Sequence, residues 1–202
     1  MSNRLILASG NLGKLREFDQ LLRPLGYDVH PQSAFEVPEI EETGLTFVEN
    51  ALLKARQASR VGGLPALADD SGLEVDALDG APGIYSARYA GEPKSDERNN
   101  ARLLEALAEV PEGRRRGRYW CVLVFLRHAE DPVPRIVQCS WEGEILAHPR
   151  GEDGFGYDPL FWLPDRGMSV AELPAAEKNR LSHRGRALQA LAEHLPRPSG
   201  ED

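Results

Sequence analysis

Apolar positions in this chain alternate between compact runs and helical spacing. Arg4 to Ala8 is a compact apolar run that predicts a first strand, and it leads into Ser9-Gly10-Asn11-Leu12-Gly13-Lys14. Leu15, Phe18, Leu21, Leu22 and Leu25 then share one helical face, with Gly26 as a natural stop. The opening is therefore strand, glycine loop, helix. Gln32 to Gly44 is irregular and acidic, with Glu36, Glu39, Glu41 and Glu42. Thr46 with Glu49 three residues later is a capping box ahead of Phe47, Val48, Ala51, Leu52 and Ala55, predicting a second helix that ends at Gly62-Gly63. Leu64 to Ala68 is another short apolar run, and it stops on two adjacent carboxylates, Asp69 and Asp70.

After Ser71-Gly72, the alternation of Leu73, Val75 and Ala77 predicts a half-buried strand, and Gly80-Ala81-Pro82-Gly83 a loop. A third helix is expected from about Asp96 to Ala108, burying Leu103, Leu104 and Leu107. Arg118 to Leu126 and Arg135 to Trp141 read as neighbouring strands joined through Pro132–Pro134. Gly151 to Asp158 is a glycine-rich loop, and Leu160 to Leu163 resumes strand character. The last helix carries Leu181, Leu188, Leu191 and Leu195, followed by a polar, proline-rich tail from about residue 196. Alternating strands and helices argue for α/β with a partly parallel sheet. Without an internal repeat or linker, 1–202 reads as one domain.

Composition narrows the class. With 41% hydrophobic and 28% charged residues this is an ordinary globular chain. A net charge of −8 disfavours a nucleic-acid scaffold, although a small anion could still meet a local cationic pocket. Cys121 and Cys139 lack metal-site spacing and read as reduced thiols of a cytoplasmic protein. Met1 to Ala8 is too short for a signal peptide, and Tyr119 to Leu126 is far too short to cross a membrane as a helix. Only four of the 24 basic side chains are lysines (Lys14, Lys54, Lys94 and Lys178), so a lysine here can mark a need for a compact point charge.

Three groups carry chemistry. Ser9 to Lys14 would aim a helix amino terminus and its amides at an anion, with Lys14 adding charge; neither Walker A nor dinucleotide-fingerprint spacing is present. Asp69 and Asp70 sit where a strand's carboxyl end would open onto a crevice. With Glu41 or Glu42 they offer the oxygen donors that Mg2+ takes alongside water and phosphate; the plain alternative is a polar turn and a solvated acidic face. Phe155-Gly156-Tyr157-Asp158, Lys178 and His183-Arg184 combine a stacking face with donors and an acceptor, which suits a nucleobase edge. Each of these has a structural alternative as loop anchor, solvated charge or helix start. The run Arg114 to Arg118 reads as a solvated face, and Trp120, Trp141 and Trp162 as core.

Taken in order, Ser9-Gly10-Asn11-x-x-Lys14, Glu41-Glu42-Thr43-Gly44, Glu49-Asn50-Ala51, Ala68-Asp69-Asp70-Ser71-Gly72-Leu73, Gly80 to Tyr89, Gly154 to Pro159 and Ser182-His183-Arg184 resemble the inosine triphosphate pyrophosphatase family. In bacteria these are also called dITP/XTP pyrophosphatases. The resemblance runs from about residue 4 to 195, with Ser9 where threonine is also common. It implies an elongated mixed sheet flanked by helices, with two lobes and a substrate cleft between them. It also implies a cytoplasmic, homodimeric, Mg2+-dependent enzyme, with no nucleic-acid or membrane partner, that hydrolyses ITP, dITP and XTP to monophosphate and pyrophosphate. By position, Ser9, Gly10, Asn11, Leu12, Gly13 and Lys14 would hold the triphosphate, Glu41 and Asp70 the metal, and Asp70 the proton. Ser71 would contact substrate, Phe155, Gly156, Tyr157, Asp158, Lys178, His183 and Arg184 would hold the base, and Asp69 and Lys54 would assist. A pyrophosphatase for modified pyrimidine or methylated guanine nucleotides, a nucleotide sensor and a structural protein are the competing readings.

Overall fold

The computed structural model describes residues 3–195, the Leu12 side chain excepted; the tail expected from about residue 196 lies outside them. The strands are β1 (Arg4–Leu7), β2 (Asp28–Pro31), β3 (Ala66–Val75), β4 (Arg116–Leu126), β5 (Arg135–Ile145), β6 (Phe161–Leu163) and β7 (Met168–Ser169). The helices are α1 (Leu12–Leu22), α2 (Phe47–Gly62), α3 (Asp96–Ala106), α4 (Ala175–Leu181) and α5 (His183–Ala192). One mixed sheet has the order β2-β1-β3-β4-β5-β6-β7; β1 runs parallel to β2 and β3, while β6 is antiparallel to β5 and β7. The α/β class with a partly parallel sheet is thus borne out. Among the described residues no helix is long and apolar enough to cross a membrane.

The chain divides into two compact units. The first comprises the residues up to Asp70, Cys121–Cys139 and the segment from Arg186; the second comprises Ser71–Trp120 and Ser140–Gly185. In the first unit the sheet is buried on both faces. Leu5, Leu7, Leu67, Leu123 and Phe125 pack with Phe18, Leu22, Leu188 and Leu191, while Ile6, Ala8, Ala66, Val122 and Val124 pack with Ala51, Ala55 and Ala58. Burial on both faces explains why β1 and the second half of β4 are continuously apolar. α2 meets its face with alanines because the approach is close: a Cβ on Gly62 would collide with Ile6. The expected Thr46 cap forms, its Oγ1 accepting the Glu49 N–H at 3.2 Å, which is worth about 1 kcal/mol; the Glu49 carboxylate accepts the Thr46 hydroxyl at 3.0 Å and the Leu45 N–H at 2.8 Å in place of the Thr46 N–H that a capping box uses. The second unit buries Leu73, Val75, Leu103, Leu107, Tyr119, Trp141, Ile145, Phe161 and Leu163.

The structure corrects several expectations. β3 does not stop at the acid pair but runs through it, from Ala66 to Val75. The strand that ends near the acid pair is β1, which pairs with β2 on one side and, along β3, with Ala66 and Leu67. The short strands β2 and β7 carry too few residues to show an alternation. The final helix is two helices, broken at Ser182, whose backbone is extended (φ −64°, ψ 159°). Arg114 and Arg116 are exposed as expected, but Arg115 is buried, with Nε donating to the Val110 carbonyl at 2.8 Å, and Arg118 bridges Glu74, Asp76 and Glu142, so only half of the arginine run is a solvated face. Of the three tryptophans only Trp141 is fully in the core.

Candidate active site

In the first unit, β1 delivers the chain into Ser9-Gly10 and α1 begins at once. Asn11 caps α1, its Oδ1 accepting the N–H groups of Gly13 at 2.8 Å and Lys14 at 3.1 Å, and its own N–H donates to Ser9 Oγ at 3.1 Å. Two of the amides expected to face an anion are therefore engaged by Asn11. A Cβ on Gly10 would meet nothing within 4 Å, so the chain's own packing does not demand glycine there. Leu12 contributes the first residue of α1, and its side chain lies outside the described part.

Lys14 Nζ bonds to Asp69 Oδ1, and the other oxygen of Asp69 accepts from Cys121 Sγ at 3.5 Å. Asp69 has no exposed side-chain surface. Lys54 projects from α2 to Asp70 at 2.5 Å and to Glu42 at 3.1 Å. Burial pushes the Asp70 carboxyl above the ordinary carboxylate range, reinforced by Glu42 and Asp69, with Lys54 opposing. Burial alone would lower Lys54, but Asp70 and Glu42 outweigh it and hold the ammonium above its usual pKa. The adjacent acids of β3 are thus each matched to a separate lysine, as two neighbouring buried carboxylates require.

The loop acid beside Lys54 is Glu42, whereas Glu41 is exposed and makes no ion pair among the described residues. The loop is held to α2 by Asn50, fully buried, whose Oδ1 accepts the Gly44 N–H at 2.8 Å, and by Glu49, which accepts the Leu45 N–H at 2.8 Å. A cation in place of the Lys54 ammonium would find carboxylate oxygens from Asp70 and Glu42, with Asp69 next along the strand. One or two hard oxygen donors with open positions are how Mg2+ is held when phosphates complete its shell, so the donor set fits that ion. Among the described residues no group of three or more histidines, cysteines or acids is placed to hold a metal ion by itself.

In the second unit Asp158 is the hub. Its Oδ2 accepts from Lys178 Nζ at 2.5 Å and the Phe155 N–H at 2.9 Å, and its Oδ1 from the Tyr119 hydroxyl at 3.3 Å. Gly154 has φ +87°, and a Cβ there would collide with Asp158, so this tight loop requires glycine. Phe155 is left 46% exposed, with Lys178 Nζ 4.3 Å and the Arg184 guanidinium carbon 5.9 Å from its ring centre. Tyr157 is buried, and its hydroxyl donates to the Ser86 carbonyl at 2.8 Å, anchoring the loop to the core.

His183 and Arg184 open α5 and are both buried. The break at Ser182 sets them, since a Cβ on Gly185 would collide with the Asn179 carbonyl and the two helices can turn this tightly only around glycine. The His183 ring stacks on Tyr119, centres 4.8 Å apart and planes at 15°, and Arg184 Nη2 donates to Ser71 Oγ at 3.3 Å. Tyr119 is a site-supporting residue that sequence reasoning missed. Burial, with Asp158 nearby, holds its phenol protonated as a donor. Alternation along β4 turns Tyr119 inward, but no spacing rule pairs it with residues tens of positions away. Asn50 was likewise read only as part of a motif, with no role of its own.

The comparisons with known proteins agree along the whole chain. The model of the Ham1 family matches residues 5–194. A dITP/XTP pyrophosphatase of Chromobacterium violaceum is 60% identical over 195 residues, covering 96% of this chain and 98% of that protein. One from Vibrio cholerae serotype O1 is 56% identical over 188 residues, covering 93% and 94%. Among solved structures, a HAM1 protein from Coxiella burnetii matches with a TM-score of 0.91 at 48% identity, over 96% of this chain and 98% of that one.

Proposed function

This chain belongs to the Ham1 family, and on that premise we propose that it hydrolyses ITP, dITP and XTP to the nucleoside monophosphate and pyrophosphate with Mg2+. Such an activity removes non-standard purine nucleotides from the precursor pool. The observation that carries the reading is Asp70, a buried carboxylate held above the ordinary range and fixed by an ammonium group.

Cleavage between the α and β phosphates needs charge neutralised on the phosphoryl oxygens and a positioned water. Mg2+, held by Asp70 with Glu41 or Glu42, supplies the larger part of that neutralisation when bound. Lys14 and the loop Ser9 to Gly13 hold the triphosphate, Lys14 exchanging Asp69 for phosphate oxygen. Asp70 takes the proton of the attacking water; its raised pKa makes it a better base than a solvent-exposed aspartate. Lys54 keeps that carboxylate oriented and charged, and Asp69 assists by holding Lys14 until substrate arrives.

The second unit reads the base. Phe155 supplies the stacking face, Gly156 and Tyr157 the loop backbone and its anchor, and Asp158 and Lys178 a paired acceptor and donor. Hypoxanthine and xanthine present a 6-oxo acceptor to the donors of His183 and Arg184, with Ser71 steadying Arg184. Adenine would set its 6-amino donor against them, leaving donors buried and unpaired, which a polar site rejects strongly. A homodimer in the cytoplasm completes the reading. Cys121 and Cys139 form no disulfide, which suits a reducing compartment, and sedimentation at the monomer mass would remove the dimer.

The test is pyrophosphate release with Mg2+ from ITP, dITP and XTP beside ATP, GTP and dTTP. Selective release from ITP, dITP and XTP, with monophosphate as co-product, is the expected result. Orthophosphate instead would place the cut at the γ position and overturn the mechanism; tight nucleotide binding without turnover would make the protein a sensor.

A further inference from the structure

We infer that the first turns of α3 set the base specificity of the site, through a clamp in which Asp96 and Asn100 hold Gly156 from both sides. The inference rests on the reading that the loop from Phe155 to Asp158 receives the base. Asp96 and Asn100 are four residues apart, hence on one face of α3. Asp96 Oδ2 accepts the Gly156 N–H at 2.7 Å, and Asn100 Nδ2 donates to the Gly156 carbonyl at 2.8 Å.

Phe155 needs such a clamp. Its ring is 46% exposed, and the cations Lys178 and Arg184 lie 4.3 Å and 5.9 Å from its centre. Apolar packing therefore does little to place it, and its backbone must. Gly156 follows at φ +61° in open space, where glycine has more freedom than any other residue. The Phe155 N–H is held by Asp158 and the Tyr157 hydroxyl by Ser86, which leaves both polar groups of Gly156 to α3.

Asn100 is poorly explained by stability. Its Oδ1 is buried without a hydrogen-bond partner, and the cost of an orphaned buried acceptor is as large as the net gain from one neutral hydrogen bond. An apolar residue would cost the fold little at that position. What it would remove is the donor to Gly156. Asp96 gains from the amino end of α3, but its bond to a loop 60 residues away is not something helix stability requires.

The test compares Asn100→Leu, Asp96→Ala and Asp96→Asn with the wild type, by steady-state kinetics on ITP and ATP, calorimetric binding of inosine monophosphate, and thermal melting. Asn100→Leu and Asp96→Ala are expected to raise the KM for ITP and weaken inosine monophosphate about five- to tenfold each, narrowing the preference for ITP over ATP while kcat stays close to wild type. Asp96→Asn keeps an acceptor oxygen and should restore affinity. Unchanged KM and affinity in both disruptive variants, or losses that only follow a lowered melting temperature, would overturn the clamp. If the wild type itself neither hydrolyses ITP nor binds inosine monophosphate, the reading of the loop falls and the clamp with it; a competent wild type with indifferent variants sinks the clamp alone.

Discussion

The two units carry unlike sets of chemical side chains. In the first, the working side chains are nearly all charged and come in opposed sets, Lys14 on Asp69 and Lys54 on Asp70 and Glu42. In the second, one carboxylate, Asp158, is surrounded by a tyrosine hydroxyl, a backbone amide and a lysine, beside a stack of His183 on Tyr119 and a half-exposed phenylalanine. Opposed charges can exchange partners: an ammonium released by a carboxylate can donate to phosphate oxygen instead. Stacked rings and shared hydrogen bonds instead fix directions, which select a base by its donor and acceptor pattern. Damage to the first set should therefore appear as lost rate, and damage to the second as lost discrimination.

The largest effect is expected from Asp70→Asn. It removes the proton acceptor and should lower kcat by about 10²–10⁴ while leaving the KM for ITP nearly unchanged. A near-normal rate in single-turnover assays would take the proton-accepting role away from Asp70 and collapse the contrast between the units. Next is the pH profile of the wild type. Asp70 must be ionised to act, and its folded pKa lies above the ordinary carboxylate value. As pH falls, activity should fail earlier than an exposed aspartate would dictate, by about tenfold per unit once below that pKa. An acid limb at or below the ordinary aspartate pKa would contradict the burial argument.

Arg184→Ala tests the other half. It removes a donor steadied by Ser71, and should reduce the preference for ITP over ATP by about tenfold with a smaller change in kcat. An unchanged ratio would remove Arg184 from base recognition. The smallest catalytic effect is predicted for Asp131, outside both sets. It accepts from Arg127 and from the Val133 N–H, and those bonds hold its carboxyl well below the usual range. A carboxyl depressed in the folded state stabilises above its unfolded pKa and loses that contribution as pH falls through the folded one. Asp131→Ala should cost about 1–3 kcal/mol at pH 7 with kcat intact. The stability gap between Asp131→Asn and wild type should narrow in acid; a gap that widens would mean the carboxylate is not what stabilises the turn.

Much of the fold was legible along the chain. Thr46 and Glu49 announced α2, and the apolar run in β4 announced a strand. The family could be read from the order of its motifs. What was not legible is instructive: β3 was read as ending at Asp69, because two carboxylates inside a buried strand are intelligible only once Lys14 and Lys54 are seen to meet them. The helix after Pro174 was missed as a separate element because Leu181 and Leu188 keep helical spacing across the break at Ser182.

By itself the sequence determined the elements whose signals are local: caps, apolar periodicity, glycine loops and the identities of the chemical groups. Tertiary structure alone decided the pairings, that Glu42 rather than Glu41 shares Lys54, that Tyr119 carries both Asp158 and His183, and that α3 reaches Gly156. The reason is physical. A cap or a period joins neighbours within a few residues and is written in their spacing. The energy of a buried charge or an orphaned polar atom depends on whichever distant side chain folding brings beside it.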